Sequence, residues 1–216
     1  MESRTAPPVP YRMMVEPLPE GPLDLDAFVP GEGPLELDIG FGRGRSLLVR
    51  AEAQPTHRVL GVECKAKWAY KVEEKRARLG LDNAKALCAD VRDILKRGGP
   101  DGCLTRAFVH FPDPWWKQRH QKRMVVTDTL LDALARLLAV GGELFVQTDV
   151  EDRGHDYHAV IAAHPGFVPA GDGDGYWLAE NPFEGRSNRE MRAEEDGLPV
   201  FRMLARRVVS DPAVGG

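Results

Sequence analysis

Short apolar runs alternate with longer amphipathic stretches along this chain, beginning at residue 35. The apolar runs have the length of buried strands, and the stretches between them carry apolar residues at helical spacing. The predicted strands are residues 35–39, 58–62, 84–88, 107–111, 143–148 and 199–209. The predicted helices are residues 45–54, 65–79, 91–97 and 127–138, the last ended by Gly141 and Gly142. This alternation predicts an open α/β sheet, which binds its ligands at the carboxyl ends of its strands.

Acidic residues stand at the ends of the first three predicted strands. They are Asp38, Glu63 and Asp90. An acid at the end of the second strand of a nucleotide-binding βαβ unit accepts both hydroxyls of a ribose, and Glu63 has that place. Asp90 can accept a hydrogen bond from the exocyclic amine of an adenine. Together the three acids predict a crevice for an adenosine group.

A glycine turn, with Gly40, Gly42 and Gly44, separates the first strand from the first helix. Glycines let a ligand approach the backbone, and the amide groups of the helix start point toward it. A dinucleotide-binding turn requires Gly or Ala where Arg45 stands, because a larger residue prevents close packing of helix on strand. The pattern Gly-x-Gly-x-Gly after Asp38 resembles motif I of class I S-adenosylmethionine-dependent methyltransferases.

The segment after the fourth strand combines an acid, aromatic rings and bases. Asp113 lies between Pro112 and Pro114, which each fix φ and stiffen the turn at the carboxyl end of the strand. Two tryptophans follow, and then Lys117, Arg119, His120, Lys122 and Arg123. For the basic residues alone, a solvated surface run and a phosphate-binding run are equally good interpretations. The succession of an acid between prolines, two aromatic residues and then basic residues favours a functional segment that binds phosphates.

Composition limits the classes of protein that fit. The chain has 216 residues and 43% hydrophobic residues, which suits one globular domain in which no apolar run is long enough to span a membrane. A net charge of −4 means that nucleic acid must bind through local patches. Three widely spaced cysteines fit neither a disulfide framework nor a zinc site. No signal peptide is expected, because the first residues have no apolar run of the required kind, so the prediction is a cytoplasmic protein. We expect no metal at His155 and His158, because no third ligand has suitable spacing.

Eight prolines crowd residues 1–34, so this segment is predicted to be an arm without regular structure, anchored by apolar residues such as Leu23 and Val29. The domain itself is predicted to cover residues 35–209, followed by a short tail at residues 210–216. The helix predicted over residues 65–79 carries many lysines and arginines, interpreted mainly as a solvated face and, for a minority, as secondary phosphate contacts.

The segment from Phe111 to Arg123 resembles the signature of bacterial tRNA (guanine-N7)-methyltransferases. The glycine turn, Glu63, Asp149 and the motif Ser187-Asn188-Arg189-Glu190 also resemble that family. The resemblance implies a Rossmann-like class I fold with a doubly wound, mostly parallel sheet of seven strands whose last strand is antiparallel. It also implies that the protein uses S-adenosylmethionine to methylate N7 of a variable-loop guanosine, at position 46 of tRNA. No obligatory protein partner, DNA or membrane is expected.

The family's functional residues map onto matching positions of this chain. The resemblance implies that Asp38, the glycine turn, Glu63, Asp90 and Asp113 contact the cofactor, with Asp113 as the catalytic candidate. It implies that Lys117, Asp149, Ser187, Asn188, Arg189 and Glu190 contact the tRNA. Three departures are visible: Asp38 replaces a usual Glu, Ser187 and Arg189 replace Thr and an aromatic residue, and Met124 replaces an arginine.

The chemistry of the target favours positioning over proton transfer. Guanine N7 carries a lone pair and no proton, so its methylation needs no general base, and Asp113 is expected to act by placement and charge. A carboxylate that accepts from both N1–H and the N2 amine would select guanine. Asp149 and Glu190 both qualify, and Asp149 is favoured because a strand end is more rigid than a loop.

Three other functions stay open from the residues alone. Asp113-Pro114-Trp115 faintly resembles the loop of exocyclic-amine methyltransferases, although that loop has a second proline. A nicotinamide-dependent oxidoreductase is disfavoured by Arg45, and cofactor-dependent melting would test it. A non-catalytic RNA-binding protein would be recognised by the absence of methyl transfer.

Overall fold

A mostly parallel sheet forms the centre of the molecule. The computed structural model describes residues 9–112 and 125–209. The strands in these residues are β1 (Leu23–Asp24), β2 (Leu35–Ile39), β3 (Arg58–Glu63), β4 (Ala84–Cys88), β5 (Gly98–Gly99), β6 (Leu104–His110), β7 (Leu138–Thr148), β8 (Phe167–Pro169), β9 (Trp177–Leu178) and β10 (Phe201–Arg207). The large sheet has the order β4-β3-β2-β6-β7-β10-β8, and β9 also pairs with β10.

Strand directions confirm the predicted fold class. The adjacent strands β4, β3, β2, β6 and β7 of the large sheet are parallel to one another. Strand β10 is antiparallel to β7, β8 and β9. The large sheet therefore contains the seven strands expected of the fold, with an antiparallel last strand, and the two-residue β9 is an eighth.

Helices connect the strands and cover the sheet. They are α1 (Leu25–Phe28), α2 (Arg45–Ala53), α3 (Ala66–Arg78), α4 (Val91–Arg97), α5 (Asp128–Leu137), α6 (Glu151–Ala163) and α7 (Asn188–Glu195), with single 3-10 turns at Tyr11–Met13 and Asp172–Asp174. Within the described residues no helix is both long and apolar enough to cross a membrane.

The central strand β2 is buried on both faces, with apolar side chains on one face and acidic side chains on the other. Leu35, Leu37 and Ile39 belong to the main core, together with the apolar side of α5. Glu36 and Asp38 alternate with them, so they are directed to the opposite face, and both are buried as well. The strand thus brings two carboxylates into the interior, and each must find partners there.

The expected end of helix α5 is wrong. Helix α5 does not end at Gly141 and Gly142, because the chain passes directly into β7 at Leu138. The glycines lie within β7, where the pairing with β6 skips residues: Leu104 pairs with Leu138, and Arg106 pairs with Glu143. Gly141, with φ of +85°, supplies the left-handed backbone for this irregularity.

The proline-rich segment is also more ordered than predicted. Strand β1 pairs in parallel with β5, and α1 follows it, capped by Asp24. Leu23, Leu25 and Val29 are buried in the main core. Apolar burial therefore overrides the proline content from residue 23 onward. Residues 1–8 of this arm and the tail at residues 210–216 lie outside the described residues.

Candidate cofactor and nucleic-acid site

Three acids lie along one edge of the sheet, as the sequence predicted. Strands β2, β3 and β4 are adjacent and parallel, with Ile39 paired with Val62 and Glu63 paired with Cys88. Asp38, Glu63 and Asp90 therefore belong to neighbouring strand ends. Their surroundings differ greatly, however, and each has its own set of partners.

The glycine turn has an open part and a packed part. Gly40, Gly42 and Gly44 have φ of +73°, +56° and +71°, which is the left-handed region that glycine adopts without strain. A Cβ at Gly40 would meet nothing within 4 Å, and one at Gly42 would meet only the Gly40 carbonyl oxygen at 3.9 Å. A Cβ at Gly44 would lie 2.5 Å from the methyl carbons of Val72 in α3. The first two glycines leave space for a ligand, and the third lets α3 pack against the turn.

Glu63 holds the glycine turn from the next strand. Its side chain is buried, its Oε2 accepts from the amide of Gly42 at 3.1 Å, and its Oε1 accepts from the amide of Lys65 at 2.9 Å. The Cys64 thiol also donates to Oε1, at 3.4 Å. A carboxylate offers about four lone-pair sites, so these three contacts leave part of its capacity for ligand hydroxyls. The same side chain can therefore shape the turn and bind a ribose.

Asp38 lies beneath the turn and not at its surface. Its side chain is 1% exposed, and its Oδ2 accepts from the Ser46 hydroxyl at 2.9 Å, which ties β2 to the first turn of α2. Its Oδ1 is buried with no hydrogen-bond partner among the described residues. Burial raises the pKa of this carboxyl, while the neighbouring His110 and the Ser46 bond act in the opposite direction.

Asp90 caps a helix beside the crevice. Its carboxylate accepts from the amide of Arg92 at 2.9 Å, at the start of α4, and forms an ion pair with the Arg92 guanidinium at 2.5 Å. This hydrogen-bonded pair lowers the pKa of Asp90. Because the Asp90 side chain is half exposed, it stays accessible to a ligand at the sheet edge.

The predicted functional segment, Phe111 to Arg123, begins where β6 ends. Phe111 follows that strand with φ of +48°, an uncommon conformation for a bulky residue, and its amide donates to the Gln147 carbonyl at 2.8 Å. The chain leaves the sheet here through a constrained turn. The candidate residues Asp113, Lys117, Arg119, His120, Lys122 and Arg123 lie outside the described residues.

Asp149 stands at the end of the strand next to β6. His110 pairs with Gln147 across these two strands, so Asp149 lies at the same edge of the sheet as the turn at Phe111. The Asp149 side chain is 6% exposed and forms an ion pair with Arg189, which belongs to the first turn of α7. The structure thus brings together two of the predicted tRNA-contacting residues.

The motif Ser187-Asn188-Arg189-Glu190 forms the start of α7 as a capping box. The Ser187 hydroxyl accepts from the Glu190 amide at 3.1 Å, and the Glu190 carboxylate accepts from the Ser187 amide at 3.3 Å. The sequence signal was present, since Ser followed three residues later by Glu is the pattern of this cap. The resemblance to the family predicts tRNA contact for the same four residues and gives no indication of this helix cap.

Glu190 is fully buried and bonded on both oxygens. It accepts from Asn181 at 3.0 and 3.1 Å, from Gln147 at 3.0 Å and from Arg202 at 3.2 Å. Its carboxylate therefore links α7 to β7 and β10. Glu190 is thus committed to contacts within the protein, which leaves Asp149, with its ion pair to Arg189, as the better candidate for contact with a base.

A hydrogen-bonded chain runs from Glu190 through Gln147 to His110. The Gln147 amide nitrogen lies 3.0 Å from the Glu190 carboxylate and 2.8 Å from Nδ1 of His110. Because an amide nitrogen only donates, His110 accepts at Nδ1 and carries its proton on Nε2. Burial lowers the pKa of His110, against the attraction of Asp38 and Glu190, and this direction favours the neutral ring.

A second buried ion network supports β2 and was not foreseen. Glu36 is fully buried and accepts from Arg50 at 2.7 and 2.8 Å, from Arg106 at 2.8 Å and from His57 at 2.9 Å when that nitrogen is protonated. Burial raises the pKa of Glu36, but the Arg50 bonds and the other cations outweigh it and leave the pKa below its usual value. The sequence offered one signal, a charged residue alternating with leucines inside a strand.

His155 and His158 lie on α6 beside an aromatic ring. His155 and His158 both contact the ring of Trp177, with centroids 6.0 and 5.1 Å apart, which gives them a packing role. Among the described residues no group of three or more metal-binding side chains was found.

Comparisons with known proteins agree with this architecture. Residues 32–203 match a family model described as a putative methyltransferase. A tRNA (guanine-N(7)-)-methyltransferase of Trichormus variabilis is 38% identical over 178 residues, which cover 81% of this chain and 82% of that protein. One of Nostoc sp. is 37% identical over 193 residues, which cover 88% of this chain and 87% of that protein.

Solved structures with the same fold are more distant in sequence. The 16S rRNA methyltransferase KamB has a TM-score of 0.60 at 18% identity, covering 85% of this chain and 92% of that one. A SAM-dependent O-methyltransferase of Thermotoga maritima has a TM-score of 0.55 at 15% identity, covering 86% and 63%. These likenesses show the fold, whereas the closer sequence relationships show the family. The chain belongs to the tRNA (guanine-N(7)-)-methyltransferase family.

Proposed function

We propose that this protein methylates N7 of a variable-loop guanosine in tRNA, using S-adenosylmethionine, in the cytoplasm. The observation that carries the proposal is the 37–38% identity with tRNA (guanine-N(7)-)-methyltransferases over more than four fifths of the chain. The order of the sheet and the acids at its edge support the same activity.

The residues at the sheet edge fit the cofactor. Gly40 and Gly42 leave open space above the turn, and Glu63 keeps free lone pairs for the ribose hydroxyls. Asp90 is exposed enough to accept from an adenine amine. Asp38, which is buried, holds the start of α2 and thereby the turn. S-adenosylmethionine supplies an electrophilic methyl group, and these residues bind and orient it.

Selection of guanine is assigned to Asp149. Its carboxylate can accept from N1–H and the N2 amine together, whereas the N1 acceptor of adenine would be repelled. Arg189 forms an ion pair with this carboxylate, so the base must share it with the guanidinium or displace it. Asn188, beside Arg189 at the start of α7, stays a candidate contact to the tRNA.

The reaction depends on alignment more than on proton transfer. N7 has no proton to lose, so the protein has to hold the base and the methyl donor in line, which supplies up to ~7–11 kcal/mol for ideal orientation. We assign this positioning to Asp113, together with stabilisation of the positive charge that develops on the ring. Lys117, Arg119, His120, Lys122 and Arg123 are proposed to hold the phosphates nearby.

Methyl incorporation into bulk tRNA, followed by nucleoside analysis, tests the proposal. We expect 7-methylguanosine, and sequencing of the modified tRNA is expected to locate it in the variable loop. A product methylated on an exocyclic amine would replace the proposal with the alternative target. A protein that binds tRNA but transfers no methyl group would be a non-catalytic RNA-binding member of the fold.

A further inference from the structure

Helix α3 carries a row of cations on its exposed side. Lys67, Lys71, Lys75 and Arg78 are all exposed and lie three or four residues apart, so they share one side of the helix. Their Cα atoms are spaced at about 4.5–6 Å along the helix axis. The buried residues of α3 are Ala69 and Val72, which pack toward the glycine turn and the sheet. We name the four cations the α3 basic face.

Most other basic residues in the described part of the chain form an ion pair, and these four do not. Among the described residues, no ion pair within 4.0 Å includes any member of the α3 basic face. Arg76, on the other side of the same helix, pairs with Glu73 at 3.0 Å. Exposed arginines elsewhere also have partners, such as Arg92 with Asp90 at 2.5 Å and Arg136 with Asp101 at 2.6 Å.

The arrangement opposes helix stability. Like charges four residues apart repel each other, and Lys67, Lys71 and Lys75 form two such pairs. Glu74 is the exposed acid on this helix, so four cations and one anion leave a local charge of +3. In a chain with a net charge of −4, a local excess of this size is a patch that a polyanion can recognise.

The α3 basic face begins beside the cofactor site. The amide of Lys65, which precedes α3, donates to Glu63, and Gly44 of the turn contacts Val72 of α3. The guanidinium of Arg43, in the glycine turn, lies 5.3 Å from the ring centroid of Trp68. The ammonium of Lys67 lies 5.4 Å from the same ring. Trp68 therefore joins the cations of the turn to those of the helix.

The N-terminal arm adds to the same surface. Tyr11 packs against Tyr70 of α3 with ring centroids 5.7 Å apart, which places the 3-10 turn at Tyr11–Met13 on the helix. Arg12 of that turn is exposed and has no ion pair among the described residues. The arm thus extends the basic surface with one further cation.

From these contacts we infer that the α3 basic face binds the phosphate backbone of the tRNA, outside the site of methyl transfer. The inference rests on the proposed function, because it assigns a second contact region to the same substrate. A row of four cations with a local excess of +3 and no described ion pair matches the repeated charges of a phosphodiester backbone. The sugar–phosphate backbone supplies affinity without base recognition, so this contact adds to binding and does not choose the guanosine.

Salt-dependent binding of bulk tRNA tests the inference. The variants are Lys71→Ala, Lys75→Ala and the triple change Lys67→Ala/Lys71→Ala/Lys75→Ala. The matched control is Lys96→Ala, because Lys96 is an exposed lysine of another helix, α4. The apolar side of α4 packs in the main core, whereas that of α3 packs in a separate apolar cluster. Each phosphate contact that is lost should reduce the slope of log K against log salt by ~0.7–0.9, and the triple change by roughly 2–3.

The expected pattern is a reduced slope in the α3 variants, an unchanged slope in Lys96→Ala, and unchanged affinity of all variants for S-adenosylhomocysteine by calorimetry. An α3 triple variant with the wild-type slope would overturn the inference. Equal reductions in Lys96→Ala and the single α3 variants would also overturn it, because they would reflect net charge alone. The wild-type methyl-transfer assay tests the proposed function separately, since failure there leaves the comparison of slopes intact.

Discussion

Replacing Glu190 separates a structural carboxylate from one that reads a base. Glu190 is fully buried, and Glu190→Ala removes the acceptor for Gln147, Asn181 and Arg202 at once. Arg202 is itself buried and would keep Glu194, at 3.3 Å, and the Ala179 carbonyl, at 3.4 Å. Removing one member of a buried ion pair costs about 3–5 kcal/mol, because the remaining charge loses its partner. We expect a loss of that order, diminished by the contact of Arg202 with Glu194.

Equilibrium unfolding in urea measures this loss directly. A typical domain is stable by about 5–15 kcal/mol, so Glu190→Ala should lower the transition midpoint substantially. Glu190→Gln is the matched variant, because the amide keeps the shape and one acceptor oxygen but loses the charge. We expect its stability to fall between those of the wild type and Glu190→Ala.

Asp149→Ala should show the opposite pattern. Its partner Arg189 is partly exposed, so the loss of stability should be nearer the ~1 kcal/mol of an ordinary ion pair. Wild-type protein should methylate tRNA with inosine at the target more slowly than the guanosine form, since inosine lacks the N2 amine. In Asp149→Ala both rates should fall, and their ratio should approach one.

Two results together would refute the structural role of Glu190. The first is a decrease in the free energy of unfolding of less than ~1 kcal/mol for Glu190→Ala. The second is a loss of guanosine preference in Glu190→Ala but not in Asp149→Ala, which would make Glu190 the residue that reads the base.

Three further predictions concern the cofactor, the pH dependence and the basic segment. Glu63→Ala should lower the affinity for S-adenosylhomocysteine by about one to two decades, from lost charged hydrogen bonds, and unchanged calorimetric affinity would remove Glu63 from the site. Burial lowers the pKa of His110, so below pH ~6.5 the unfolded chain takes up a proton that the folded protein refuses. Stability should therefore fall with decreasing pH by up to ~1.4 kcal/mol per pH unit more steeply in the wild type than in His110→Phe; parallel curves would show that His110 is not held neutral. Lys122→Ala or Arg123→Ala should each lower the salt slope of tRNA binding by ~0.7–0.9 without changing cofactor affinity, and a wild-type slope would mean that the segment is only solvated.

The sequence by itself determined the parts of this protein that depend on local order. Strand β2, strand β4 and helix α4 lie where the pattern placed them, because the period of apolar residues follows from the geometry of one element. The glycine turn was equally recognisable, since positive φ at Gly40, Gly42 and Gly44 is a demand on single residues. The acids at the strand ends followed from these elements, and parallel pairing brought them to one edge.

Only the tertiary structure decided what those polar residues touch. Glu190 is bonded to Gln147, 43 positions earlier, and Arg50 is bonded to Glu184, 134 positions later. Asp38 was expected to line the crevice and is buried beneath the glycine turn. Leu23 and Val29 anchor the proline-rich segment as predicted, but its pairing of β1 with β5 depends on a distant strand and was not predicted. A buried charge must be satisfied by whichever donors the packed chain brings near it, and those donors are set by the meeting of distant segments and not by the spacing of neighbours.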